Sequence, residues 1–151
     1  MTAPLAGKTI LMSGGSRGIG LAIALRAAAD GANVALLAKT DTPDPRLPGT
    51  IHTAAEQIRA AGGNALAIVG DVRNDDDITE AVMKTQGEFG GIDIVVNNAS
   101  VLSLAGSLDL DAKRYDLMQD VNVRGTFMLS RAAIPILREA ENPHILSLSP
   151  P

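Results

Sequence analysis

Ser13-Gly14-Gly15-Ser16-Arg17-Gly18-Ile19-Gly20 is the stretch whose residue types and spacing speak most directly of chemistry. Gly14, Gly18 and Gly20 follow a G-x-x-x-G-x-G spacing. A glycine at a strand end permits a sharp turn, a second lets the backbone approach a pyrophosphate, and a third lets a helix lie close on its strand. The N–H groups that open such a helix then point at phosphate oxygens. A glycine triplet alone also serves an ordinary tight turn. Here it joins a strand pattern to a helix pattern, which is the context a dinucleotide-binding turn needs. No G-K-[ST] follows the loop, so the lysine and Mg²⁺-binding hydroxyl of a P-loop are missing.

Other chemistry is sparse. The chain has no cysteine, so it carries no disulfide framework, thiolate nucleophile or cysteine-based metal site. His52 and His144 stand far apart, and no metal site is expected. The net charge of -4 comes with no Lys/Arg run, which argues against nucleic acid and anionic membrane as partners. No stretch approaches a membrane span, and Met1 to Lys8 has no signal-peptide character. A soluble, cytoplasmic protein is the expectation.

The elements that must position the loop are legible from periodicity. Lys8 to Met12 reads as a first strand. After Gly18 the spacing turns helical, with Ile19, Ile23 and Ala27 on one face and Gly31 as the stop. Asn33 to Ala38 is a second strand, completing a βαβ unit with parallel strands. Lys39 to Thr50 holds three prolines and is irregular. A helix over Thr53 to Ala61 ends at Gly62-Gly63, and Ala65 to Val69 is strand three. Asp75 to Asp77 open a helix running to about Glu88, their charges meeting the positive end of its dipole. Ile92 to Val96 is strand four; a helical region interrupted near Asn122 runs to about Glu139; His144 to Ser149 is strand five. Such alternation predicts a single α/β domain over residues 1–151: a Rossmann-type, doubly wound parallel sheet of order 3-2-1-4-5 in three α/β/α layers.

Three further motifs stand in order along the chain: Asp71-Val72 after strand three, Asn97-Asn98-Ala99-Ser100 after strand four, and Val121-Asn122-Val123-Arg124-Gly125 in the interrupted helix. Together with the glycine spacing they resemble the short-chain dehydrogenase/reductase family, although Ser100 replaces the glycine of the family's N-N-A-G. Ala38-Lys39-Thr40, Leu47-Pro48-Gly49-Thr50-Ile51, Thr53-Ala54-Ala55-Glu56 and the end from His144 to Pro151 are similar, within that family, to the hydroxysteroid dehydrogenase-like protein 2 group.

The resemblance implies a nicotinamide dinucleotide held by Gly14, Gly15, Ser16, Arg17, Gly18, Ile19 and Gly20, then by Lys39, Asp71, Val72, Asn98, Ala99 and Ser100. Asp71 would meet the adenine amino group. Members that use NAD place an acid at the end of strand two; here Lys39 stands there, and Arg17 can reach the same point. Two cations converging on a 2′-phosphate favour NADP over NAD. Asp41 lies two residues beyond the usual acidic position. The proline loop either wraps the adenosine side or is a surface excursion, and the second reading is preferred.

The family moves hydride between C4 of the nicotinamide and a carbonyl or alcohol carbon, using a Tyr, a Lys, a Ser and an Asn. Asn122 matches the Asn that anchors a relay water. Many members end strand five with two serines, the second catalytic; that alignment puts Pro150 on the catalytic position and Ser149 one residue before it. Either Ser149 substitutes or the substrate oxygen is held otherwise. The Y-x-x-x-K pair is absent: the single tyrosine, Tyr115, has Gln119 four residues on and reads as a packing residue. A sheet open at strand five would expose an edge and apolar surface, so continuation past Pro151 is expected over genuine truncation. Two functions remain in view: an NADP-dependent oxidoreductase of a small carbonyl or alcohol compound, dimeric or tetrameric when complete, and an NADP-binding module or sensor without the proton chemistry.

Overall fold

β1 (Thr9–Ser13) is buried along its whole length, and its side chains divide between two faces. Ile10 and Met12 join one apolar cluster while Leu11 joins another. β2 (Asn33–Ala38) splits the same way, Val34 and Leu36 going to the first cluster and Ala35 and Leu37 to the second. Strands covered on both faces read as continuous apolar runs rather than alternating ones. The computed structural model describes residues 3–149. Within them β1, β2, β3 (Asn64–Val69), β4 (Ile94–Asn97) and β5 (His144–Ser147) form one sheet of order β3-β2-β1-β4-β5, parallel throughout.

α1 (Gly18–Ala29) and α2 (Ile51–Ala60) cover one face through Ala24, Ala27 and Ala28 and through Ile51, Ala54 and Ile58. α3 (Asp75–Phe89) and α5 (Thr126–Leu137) cover the other through Ile78, Ala81 and Val82 and through Leu129, Ala133 and Leu137. α4 (Ala112–Met118) buries nothing and runs into a π-helical stretch, Gln119–Gly125, that continues into α5. The interruption expected near Asn122 is this widened turn. Among the described residues no helix is long and apolar enough to cross a membrane.

Several boundaries differ from the sequence reading. α2 begins two residues earlier because Thr50 caps it: its hydroxyl accepts from Thr53 N and the Thr53 hydroxyl accepts from Thr50 N, a reciprocal capping box. α3 starts where expected, with Asn74 accepting from the backbone of Asp76 and Asp77. β4 starts at Ile94, with Ile92 buried just ahead of it. β5 stops at Ser147, so Ser149 lies past the strand; Pro150 lies outside the described residues.

The apolar face of α1 is also different. Gly20, Ala24, Ala27 and Ala28 are buried, whereas Ile19 is 67% exposed. Small residues let α1 approach the sheet closely, and a face carrying Ile19 would hold it off. Tyr115 is half-exposed rather than packed, because α4 has no buried face to receive it. β5 pairs only with β4 among the described residues and leaves Ile145 and Leu146 exposed.

The register aligns the strand ends. Ser13 lies opposite Leu37 on one side and Asn97 on the other, Ala38 opposite Val69, and Asn97 opposite Ser147. Every loop that leaves the carboxyl end of a strand therefore emerges on one edge. β1 sits where the strand order reverses, the switch point at which open α/β sheets form their crevice.

A cleft at the strand ends: candidate cofactor site

That crevice is a cleft of about 530 Å³. Its floor is the turn after β1, with Gly14, Gly15, Ser16, Arg17, Ile19 and Gly20. One wall comes from Leu37 to Thr40 and from Gly70 to Arg73, the other from Asn98 to Val101 with Leu117 and Val121 above. Thus Lys39, Asp71, Val72, Asn98, Ala99 and Ser100 all border the space that the glycine turn opens onto.

The turn is held by a contact between distant segments. Ser13 is buried, and its Oγ accepts from both Asn98 N and Ala99 N at 3.2 Å. Gly14 takes a φ of +75°, where an L side chain is strained. A Cβ on Gly14 would come within 2.7 Å of Asn98 Nδ2, and one on Gly20 would lie 2.8 Å from Gly15 Cα. Gly20 therefore brings α1 against its own turn and the loop after β4 rather than simply against the strand. Gly18 is different in kind: φ is +60° and no atom stands within 4 Å of where its Cβ would be. Among the described residues no side chain caps α1, whereas α2, α3 and α4 each have a capping side chain. The first N–H groups of α1 are thereby left for an anion. An open, uncapped helix start beside Gly18 fits a pyrophosphate.

At the far end of the cleft the charges gather. Arg17 Nη2 donates to Thr40 Oγ1 at 2.6 Å, which brings the guanidinium to the end of β2. Lys39 Nζ pairs with Asp71 Oδ2 at 3.2 Å, and Arg73 Nη2 reaches the same oxygen at 2.7 Å. The hydrogen bonds from Arg73 hold the Asp71 carboxyl far below the usual carboxylate range, partial burial opposes the effect, and Lys39 adds to it. A carboxylate depressed in the folded state contributes stability that is fully present above its unfolded value, about pH 3.9, and is lost as pH falls through the folded value. The Asp71 carboxyl carbon, followed by NMR, should show no titration step from neutral pH to about pH 3.9. In Arg73→Ala the step should move upward, and an unmoved step would show that Arg73 does not hold the carboxylate.

The residues expected to act in proton chemistry lie off this cleft. Asn122 spends both ends of its amide on one backbone unit: Nδ2 donates to Val101 O and Oδ1 accepts from Val101 N, each at 2.8 Å. It thus staples the π-helical stretch to the loop after β4, and neither Asn122 nor Ser149 lines the cleft. Asn97, 3% exposed, donates through Nδ2 to the hydroxyls of Ser130 and Ser147, while its Oδ1 has no hydrogen-bond partner among the described residues. The structure gives contacts at the cleft to three residues that had no assigned role in the sequence: Ser13, Thr40 and Arg73. A basic residue two places after Asp71 is a local signal, since that spacing lets a side chain fold back on an Asx turn. Ser13 gives no such signal, its partners being 85 and 86 residues away.

A family model described as short chain dehydrogenase matches residues 8–150. Hydroxysteroid dehydrogenase-like protein 2 of Bos taurus is 55% identical over 150 residues, covering 99% of this chain and 36% of that protein. The solved structure of a short chain dehydrogenase from Mycobacterium thermoresistibile is 59% identical, with a TM-score of 0.93 over 97% of this chain and 52% of its own. The NADH-dependent reductase A1-R′, solved with NAD, is 31% identical with a TM-score of 0.83, over 97% and 61% of the two chains. The chain thus spans about a third of the curated relative's length and about half of the first structure's.

Proposed function

We propose that this chain, which belongs to the short-chain dehydrogenase family, binds NADP as part of an oxidoreductase acting on a small carbonyl or alcohol compound. The observation that carries the reading is the pair of cations at the end of β2, Arg17 beside Thr40 and Lys39 bordering the cleft, with no carboxylate at the strand end itself. When bound, the cofactor would supply hydride exchange with the substrate carbon. The chain's own residues would do the holding. The glycine turn and the uncapped start of α1 would take the pyrophosphate, Arg17 and Lys39 the 2′-phosphate, and Asp71 with Val72 the adenine. Asn98, Ala99 and Ser100 would line the path toward the nicotinamide. Asn122 would keep the Val101 backbone in place, and Ser149 would meet the substrate oxygen from beyond β5.

A second reading, a dinucleotide-binding module without proton chemistry, is favoured by Asn122, whose amide is spent on the Val101 backbone and does not line the cleft. Self-association into a homodimer or homotetramer belongs to the first reading, supported by Val123 standing exposed in the π-helical stretch and Phe127 exposed just after it.

One sample tests these together. Fluorescence titration of the purified protein should show NADPH binding more tightly than NADH by at least tenfold, the worth of about one charge-assisted contact. Equal affinities would remove the NADP assignment. NADPH oxidation with apolar ketones and aldehydes separates enzyme from module, and light scattering that reads a monomer would end the oligomer proposal.

A further inference from the structure

We infer that Arg73 is a positioning residue that sets the preference for NADP over NAD, by holding the Asp71 carboxylate so that Lys39 can leave it for a 2′-phosphate. This rests on the reading of the cleft as an NADP site.

The contacts on Asp71 are unequal. Arg73 engages both oxygens: its backbone N and Nε lie 2.9 and 3.1 Å from Oδ1, and its Nε and Nη2 lie 3.0 and 2.7 Å from Oδ2. Lys39 makes one contact, at 3.2 Å, and that is the longest of the five. A planar guanidinium gripping a carboxylate through two nitrogens is fixed in geometry, whereas an ammonium is a mobile point charge on a flexible stem. The Lys39 side chain is 64% exposed and the Asp71 side chain 20%. Lys39 is the partner that can leave.

Arg73 is in turn held in place. Its carbonyl accepts from Arg124 Nη1 at 3.3 Å, and the Arg124 guanidinium pairs with Asp75 at 2.9 Å. Asp120, which faces Arg73 from the π-helical stretch, adds further negative potential on that side. These contacts tie the loop after β3 to the π-helical stretch.

Consider the exchange that NADP binding would require. A 2′-phosphate brings negative charge to the end of β2, and Lys39 must turn from Asp71 to meet it. With Arg73 present, the carboxylate left behind keeps its bidentate partner and its charge stays compensated. Without Arg73, Lys39 would have to serve Asp71 as well as a phosphate that it shares with Arg17, and two anions would face each other across it. NAD has no 2′-phosphate and demands no such exchange. The charge penalty for losing Arg73 therefore falls on one cofactor only, on top of any loss at the adenine that both share. A residue that merely shaped the loop would weaken both alike.

Fluorescence titration with NADPH and NADH, on wild type and variants, reads this directly. Arg73→Ala should lower the NADPH-over-NADH affinity ratio by about tenfold, the worth of one charge-assisted contact. The NADH affinity should fall by a clearly smaller factor, since both cofactors share whatever is lost at the adenine, and circular dichroism reports an intact fold. Arg73→Lys should recover part of the ratio. Adding Asp71→Asn to Arg73→Ala should recover it too, even with both cofactors bound more weakly, because the uncompensated charge has gone. Equal weakening of the two cofactors by Arg73→Ala, an unchanged ratio, or a double variant that recovers nothing would each overturn the inference. Should the alanine variant not fold, Arg73→Gln carries the same test at similar side-chain length. A wild-type protein without NADPH preference would overturn the cofactor reading and this inference with it. Wild-type preference with an unmoved Arg73→Ala ratio would overturn this inference alone.

Discussion

Gly20→Ala should abolish nucleotide binding and lower the melting temperature by roughly 3–10 °C, although it adds one methyl group. The methyl would lie 2.8 Å from Gly15 Cα and 2.9 Å from the Asn98 amide carbon. Gly15 Cα belongs to the turn backbone, whereas the Ser13 hydroxyl holds Asn98 only at its backbone N. The Asn98 amide can turn aside, but the backbone of the turn cannot. α1 must then lift from the turn, at a cost of about 1–3 kcal/mol for overpacking, and the N–H groups at its start lose their aim. Gly18→Ala is the informative comparison. No atom lies within 4 Å of its Cβ, so only the φ of +60° resists it, at about 1–2 kcal/mol. That variant should lose NADPH affinity through crowding of the phosphate path, with a smaller thermal penalty. Thermal unfolding and NADPH titration on both variants check the pair. A Gly20→Ala protein with wild-type melting would show that α1 does not press on the turn as described.

Lys39→Asp should reverse the cofactor preference, lowering NADPH affinity by about 10–100-fold and leaving NADH affinity equal or improved. The substitution removes a cation at the end of β2 and installs the carboxylate that can accept ribose hydroxyls. The new acid would lie near Asp71, a juxtaposition that would be costly by itself. Arg73 already neutralises Asp71 through both oxygens, so the variant keeps a compensating cation. The wide range reflects exposure: Lys39 is well solvated, and salt screens charge effects there. The effect should shrink as ionic strength rises. NADPH and NADH titrations at low and high salt check it, and an unaltered affinity ratio would show that Lys39 does not face the 2′-phosphate.

Much of this architecture could be read without coordinates, for reasons that are local. The strand-turn-helix order around Gly14, Gly18 and Gly20 follows from steric rules that act within a few residues. The acidic start of α3 and the glycine stops after α1 and α2 are equally local signals. The sheet order followed from alternation of strand and helix together with the right-handed crossover rule. Errors came where tertiary contact overrides local pattern. Ile19 belongs to a helical apolar stripe on paper, yet the close approach of α1 demands Gly20, Ala24, Ala27 and Ala28 on the buried side and leaves Ile19 in the cleft. Tyr115 read as a packing residue because Gln119 stands where a Y-x-x-x-K pattern needs Lys, and α4 offers it no buried face.

The sequence by itself thus determined the α/β class, the position of the glycine turn and the basic character of the end of β2. Each depends on residue type and on spacing along the chain. Only the tertiary structure decided which groups meet at the strand ends. Ser13 finds Asn98 and Ala99 across 85 and 86 residues, Lys39 finds Asp71 across the β2–β3 pair, and Asn122 closes on Val101. Those partnerships are set by the parallel register, which places the carboxyl ends of all five strands on one edge. Register follows from how two apolar layers fill the sheet faces together, and no local stretch of sequence contains that sum.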